Sequence, residues 1–278
     1  MATANLSSYE PERVPSAAEM RFALNFPTSD QKLTALRQNY AGLIDQLSAA
    51  ADWAAAPTVR AECKDFCILA SDEFYAVLDP RGGTLVFFFA GSDQIIGPTA
   101  QFFVGLSDQS VWDLSKGLGA DPAQIMGAFA DADEPFRAYQ PEVLDAKTIR
   151  FTSANGQVKT YRLTSSGLEV QFSGPVETKI PLVVSPQSRF EPGWDGRYQL
   201  EQGAGWLAWG LAFGPMVRIQ ATGGGVLNGT SFLDALPLLA SSENPNAEVP
   251  PGAYLPLPMA VGRFSSPGAA AIRIIVNR

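Results

Sequence analysis

Histidine is absent from all 278 residues. It is the usual general acid or base near neutral pH and the commonest metal ligand. Ser-His-Asp and Cys-His catalysis are therefore excluded, and so are His-based zinc sites. Paired carboxylates, Tyr–Arg or lysine chemistry and oxygen-ligated metals remain. Cysteine is nearly as scarce, with only Cys63 and Cys67, which have three residues between them. That spacing is not a C-x-x-C redox motif, and no second pair completes a zinc site. If 63–67 is helical, both thiols lie on one face; a disulfide stays open, with two free thiols the favoured reading. Long apolar runs are missing too, none approaching the roughly 20 residues that span a bilayer. Residues 1–20 lack a basic stretch followed by an apolar one, so no signal peptide is read there and a soluble, cytoplasmic protein is expected.

Charge is sparse at 17% of residues and tilted to acid, with a net of −8 and a pI near 4.7. Such a field repels phosphate backbones, so no nucleic-acid partner is expected. No membrane partner, metal or other cofactor is expected either, and the oligomeric state stays open. Hydrophobic residues reach 46%. A chain of this length buries roughly three quarters of its unfolded surface, so neither metal nor disulfide is needed as a staple.

Residues 1–28, with Pro11, Pro15 and Pro27, read as a loose arm. Leu33, Leu36, Tyr40, Leu43, Ile44 and Leu47 recur at helical spacing, predicting a helix over about 30–55 that Pro57 stops, within a helical segment 29–58 packed on the body. From there to 278 the texture is β. Strands are expected at Phe66–Ala70, Phe74–Asp79, Thr84–Ala90, Lys147–Ser153, Val158–Thr164, Leu168–Phe172 and Val176–Val184. Further strands are expected at Arg197–Glu201, Trp206–Ala212, Met216–Ala221 and Ala269–Val276. Pro80-Arg81-Gly82-Gly83 and Asn155-Gly156 are hairpin turns by composition. The run Phe87-Phe88-Phe89 predicts a strand covered on both faces. Asp121-Pro122 opens a short helix ending near Asp131. Thr222–Gly225 and the Pro-rich stretch Asn244–Pro258 read as loops. Short strands joined by turns, with little helix after 60, predict a mainly β fold: a large antiparallel two-sheet sandwich with an N-terminal helical segment.

The hairpin Phe74-Tyr75-Ala76-Val77-Leu78-Asp79-Pro80-Arg81-Gly82-Gly83-Thr84-Leu85 resembles the opening of galactose-mutarotase-like β-supersandwich domains. The Lys159–Phe172 meander, Ile180–Val184 and Phe190–Trp194 fit the same layout. With Ala49–Ala54 before the sheets, the chain is most similar to the C-terminal regions of glycoside hydrolase family fifty-seven-like proteins. The aldose epimerases of this superfamily use a histidine acid beside a glutamate base, and here the histidine is missing, so that activity is not carried over. The alternating βα units of a catalytic barrel are missing as well. The resemblance thus implies a carbohydrate-associated domain, accessory or stand-alone, rather than a hydrolase.

Sugars stack on aromatic faces, and neighbouring polar groups take their hydroxyls. Trp194, between Gly193 and Asp195, is the best exposed candidate, with Asp195, Arg197, Tyr198, Arg189 and Gln187 as its candidate ligand-binding neighbours. Trp206 and Trp209 lie three apart and face opposite sides of a strand, so one of them is core. Glu169 and Glu177 read as solvent-facing strand residues. Asp131, Asp133 and Glu134 read as a solvated helix end, with a calcium site as the sharper alternative. No catalytic residue is assigned. A non-catalytic carbohydrate-binding module is the first reading. A polysaccharide lyase or hydrolase using Tyr198 with Arg189 or Arg197, or paired carboxylates, is the second. A structural or assembly protein docking through apolar faces at 84–90 or 254–264 is the third.

Overall fold

The computed structural model describes residues 42, 45–97, 127–134, 136–185, 198–211, 216–231 and 260–277. Helix α1 (45–55) is followed by β1 (Arg60–Cys63), β2 (Cys67–Ala70), β3 (Phe74–Asp79), β4 (Thr84–Ala90), β5 (Asp93–Ile96), β6 (Tyr139–Asp145), β7 (Thr148–Ser153) and β8 (Val158–Thr164). Then come β9 (Gly167–Phe172), β10 (Val176–Ser185), β11 (Tyr198–Gly203), β12 (Trp206–Leu211), β13 (Met216–Thr222), β14 (Val226–Ser231), β15 (Ala260–Ser266) and β16 (Ala270–Asn277). They form two eight-stranded sheets, ordered β1-β2-β3-β4-β5-β10-β15-β14 and β11-β12-β13-β16-β9-β8-β7-β6. Every pairing between the named strands is antiparallel, as the expected sandwich requires.

The alternation of each strand sends one set of side chains between the sheets. Leu69, Leu78, Phe88, Ile180 and Phe264 from the first sheet meet Phe151, Tyr161, Val170, Trp209, Ile219 and Ile274 from the second in one dry core. Burying aliphatic and aromatic side chains of this size is worth roughly 1.5–3 kcal/mol each before entropy is counted. A second, smaller core lies outside the first sheet. There Ala50 and Trp53 of α1 cover Ile68, Tyr75, Val77, Val86, Phe87 and Phe89. The three phenylalanines are thus split, with Phe88 inward and Phe87 and Phe89 under the helix, and the strand is covered on both faces as its apolar run predicts. A bulge makes this work. Val77 pairs with Phe87 but Leu78 with Leu85, so Val86 and Phe87 share the helix side. The Trp53 indole N–H also donates to the Ser71 carbonyl at 2.9 Å, tying the helix to the β2–β3 turn.

Four expectations need correction. First, Cys63 and Cys67 are not free thiols on a helix. They form a disulfide that closes the β1–β2 hairpin, where they are the last register pair. Disulfides persist in oxidising compartments, so the bond weighs against the cytoplasmic expectation. An intact mass two hydrogens below that of the reduced chain is the expected result, and two alkylatable thiols in the unreduced protein would contradict it. Second, residues 127–131 are not helical: Ala128 forms an isolated bridge with Leu85, exchanging backbone hydrogen bonds, and the Phe129 N–H donates to Lys179. β5 is short, and this segment fills the place beyond its end between β4 and β10. The proposed helix start at Asp121 lies outside the described residues. Third, the apolar face at 84–90 is closed on both sides and offers no docking surface; of the stretch 254–264, Ala260, Val261 and Phe264 are buried and 254–259 lie outside the described residues. Fourth, β1, β5, β6, β14 and β15 were not expected from the sequence. The arm 1–28, the start of the predicted helix, Phe232–Leu239 (readable from sequence as strand or short helix) and the stretch Asn244–Pro258 lie outside the described residues. Among the described residues no helix is long and apolar enough to cross a membrane.

Candidate ligand-binding face

Of the residues expected to form a site, Trp194, Asp195, Arg197, Arg189 and Gln187 lie outside the described residues. Tyr198 opens β11, the edge strand of the second sheet, opposite Leu211. The expectation for the tryptophan pair can be followed in full. Trp209 is fully buried in the inter-sheet core, while Trp206 is half-buried on the opposite face of β12.

That outer face of the second sheet carries a polar row. Strand register sets Trp206 beside Gln220, Gln220 beside Arg273, Arg273 beside Glu169, and Glu169 beside Arg162. The five residues come from five adjacent strands, so the row runs about 19 Å at the usual inter-strand spacing. Between its two arginines lies Glu169, 4% exposed although it faces outward, because its neighbours cover it. One carboxylate oxygen accepts from the Arg162 guanidinium at 3.0 Å and from the Gln171 amide at 2.7 Å; the other accepts from Arg273 Nε at 2.8 Å. Burial alone would raise this carboxyl. The bonds from Arg273 and Gln171 and the two arginine charges outweigh burial and hold it below the ordinary glutamate range. Glu169 is therefore a fixed anion that aims two guanidinium groups, each about half exposed.

At the row's other end the Trp206 ring lies across Gly203, where a Cβ would strike the indole nitrogen. The Arg218 guanidinium carbon sits 4.3 Å from the ring centroid, a cation–π stack. Arg218 Nε has no hydrogen-bond partner among the described residues. The face therefore carries a half-buried indole with Arg218 stacked on it, an exposed amide and three arginines. Nearer the β6 edge, Arg150 pairs with Glu142 at 2.5 Å.

A second polar cluster is buried between the sheets. Inward-facing Lys159 of β8 donates to the carbonyls of Gly82 and Phe129, each at 2.7 Å, and pairs with Asp131 at 2.8 Å. Its ammonium also lies 4.7 Å from the Tyr139 ring centroid. Asp131 accepts from the Tyr139 hydroxyl at 2.7 Å and from Arg137 at 3.3 Å. Arg137 goes on to Asp133, Glu134 and the Gln157 side chain. The Tyr161 hydroxyl donates to Gly83 at 2.6 Å. This explains the Gly-Gly turn. Both glycines take positive φ, 82° and 53°, and a Cβ on Gly83 would meet the Tyr139 ring at 3.1 Å. Phe129, the one non-glycine residue with positive φ among those described, at 69°, accepts from Lys159 through its carbonyl. Burial pulls Lys159 down to about 8 against the opposing pull of Asp131. A lysine so perturbed often marks catalysis, but here all three ammonium donors are taken inside the fold. The cluster is a clamp that holds 127–139 and the β3–β4 turn to β8. Asp131 belongs to it, not to a solvated helix end or a calcium site. Among the described residues no group of acids is placed to hold a metal.

No family model matches the chain, and no curated protein is similar to it. Solved structures do show distant likeness. The heparan sulfate lyase HepC from Pedobacter heparinus is 12% identical, over 89% of this chain and 42% of its own, with a TM-score of 0.49. A 4-alpha-glucanotransferase from Thermococcus litoralis is 9% identical, over 100% of this chain and 49% of its own, with a TM-score of 0.44. The mutarotase-like YeaD from Salmonella typhimurium is 8% identical, over 85% of this chain and 99% of its own, with a TM-score of 0.43. The chain spans less than half the length of the lyase and of the glucanotransferase. All three names belong to carbohydrate chemistry, and likeness this distant carries no activity across.

Proposed function

We propose that this chain is a non-catalytic carbohydrate-binding domain that presents the outer face of its second sheet to a glycan. The observation that carries this reading is the row Trp206, Gln220, Arg273, Glu169, Arg162, in which one aromatic plane lies in line with a run of hydrogen-bonding groups. A pyranose ring has an apolar face for the indole and equatorial hydroxyls for the polar groups beside it. The state of Glu169 supports binding over hydrolysis. Glycosidic cleavage needs one carboxyl protonated as acid and a second free as base or nucleophile. Glu169 is instead held ionised and covered by arginines. Residues Trp194, Asp195 and Arg197 precede β11 directly in the chain, and we include them, with Tyr198, Arg189 and Gln187, as candidate contributors at the β11 edge.

The expected result is micromolar-to-millimolar binding to a panel of oligosaccharides, read by calorimetry and by tryptophan fluorescence. Trp206→Ala should weaken it about tenfold, the order of one lost aromatic stack. A panel with no binder at millimolar sugar, or full affinity in Trp206→Ala, would rule this face out.

A further inference from the structure

We propose that the glycan this face takes is acidic, a uronate-bearing oligosaccharide whose carboxylate is held by Arg162 and Arg273. This rests on the carbohydrate reading above and adds the chemical class of the sugar.

The argument starts from charge. The chain as a whole is acidic, at −8. The middle of this face runs the other way. Arg162 and Arg273 flank one carboxylate, Glu169, whose charge offsets only one of them, and Arg218 adds a third guanidinium at Trp206. Among the described residues the face also carries Glu142, paired with Arg150, and Glu201 on β11, opposite Ala208 and beyond Trp206. An acidic chain thus sets two arginines about a single acid on this row, with a third arginine at its Trp206 end.

Geometry adds selectivity. Arg162 reaches Glu169 through one terminal nitrogen, and Arg273 reaches it through Nε. Each guanidinium carries five N–H donors in a planar fork. Arg273 therefore keeps both terminal nitrogens, and Arg162 its Nε and second terminal nitrogen, beyond the bonds to Glu169. Such forks match the planar carboxylate in a two-point pairing. Glu169 is buried and fixed by three donors, so it pre-orients both forks before any ligand arrives. Trp206 lies two strands from Arg273, about 10 Å at ordinary sheet spacing. A short oligosaccharide bridges that distance, one ring on the indole and a neighbouring ring bringing its carboxylate to the arginines.

The test compares three probes of equal length on the intact chain: oligogalacturonate, maltooligosaccharide and sulfated maltooligosaccharide. The expected result is about tenfold tighter binding of oligogalacturonate than of the neutral sugar, one good charge-assisted pairing. That advantage should shrink as salt rises from 0.05 to 0.5 M on the order expected from screening. Arg273→Gln should erase it, bringing the ratio of the uronate and maltooligosaccharide affinities to about one; a ratio that stays near ten would overturn the assignment to Arg273. Should that variant fold poorly, Glu169→Gln/Arg273→Gln removes the acid with the arginine, and the salt series on the unaltered protein needs no variant. Neutral and uronate probes binding equally would overturn the acidic class and leave the carbohydrate reading standing. Equal or tighter binding of the sulfated probe would overturn carboxylate recognition in favour of general polyanion attraction. No binding by any probe would remove both readings together.

Discussion

Lys159→Met should cost about 3–5 kcal/mol of folding stability, the range for breaking a buried ion pair from one side. Methionine fills the same volume, so the loss is electrostatic rather than steric. The variant strands the carbonyls of Gly82 and Phe129 and leaves Asp131 with only Tyr139 and Arg137. Urea denaturation monitored by tryptophan fluorescence reads the change directly. In Lys159→Met/Asp131→Asn both charges go, and Arg137 keeps Asp133 and Glu134. The double variant should therefore lose less than the sum of the singles, by about 1 kcal/mol or more. If Lys159→Met behaves like the exposed Lys147→Met, the clamp contributes nothing and this account is wrong. The same lysine shapes the pH profile. Its native pKa is drawn down to about 8, below its unfolded value, so between those two values the unfolded chain binds a proton the native chain has released. Stability should rise with pH across that interval. Tyr139 and Tyr161 are shifted upward by burial and by the neighbouring Asp131 charge. Above their ordinary value the native chain keeps protons the unfolded chain loses, so stability should turn down past pH 10. Lys159→Met should abolish the rise and keep the fall.

Gly167→Ala should cost about 2–4 kcal/mol, combining a strained backbone with overpacking. Gly167 starts β9 at a φ of 147°, and a Cβ there would overlap the Ile274 carbonyl oxygen in β16. No flexible side chain is available to yield; the neighbour is the backbone of the strand it pairs with, Gly167 lying opposite Ile275. Relief requires β9 and β16 to part in the middle of the second sheet. That movement also separates Glu169 from Arg273. The variant should therefore lose thermal stability and glycan affinity together, while Gly156→Ala, at a φ of 84° but with nothing within 4 Å, carries the backbone strain without the overlap and should lose less. Equal melting temperatures for the two variants would refute the close approach.

Legibility from sequence followed the range of the signal. Phe74–Asp79, Thr84–Ala90 and Val158–Thr164 match their strands end for end because alternation and Gly-bearing turns are local cues. β14 and β15 escaped because Val226-Leu227-Asn228-Gly229-Thr230-Ser231 and Gly262 with its serines resemble loop, and what makes them strands is pairing with distant chain. β6 carries Pro141, which argues against a strand, and it is indeed an edge strand, where proline is tolerated. The cysteines show a true degeneracy. Spacing of four suits one helix face and equally a hairpin with a three-residue loop, and only the pairing of β1 with β2 decides. For the face, parity put Trp206 and Trp209 on opposite sides of the strand without saying which one faces inward; the structure buries Trp209. Glu169 was also read as outward, but its cover was hidden, since Arg273 is 104 residues away. The clamp did leave a trace: Lys159 shares strand parity with Tyr161 and Leu163, both core residues, and a lysine on an inward parity needs an acid inside. Asp131 was in view but was assigned to a helix end.

The two outer surfaces of the sandwich are finished differently, and α1 is the reason. Where Trp53 and Ala50 sit, the first sheet would otherwise offer Tyr75, Phe87 and Phe89 to water. A chain begun at the first strand would thus expose a sticky aromatic panel, the sort of surface that chaperones retain and proteases clear. The autonomous folding unit consequently starts upstream of the β sequence, and anyone excising or fusing this domain should carry the cap along with it.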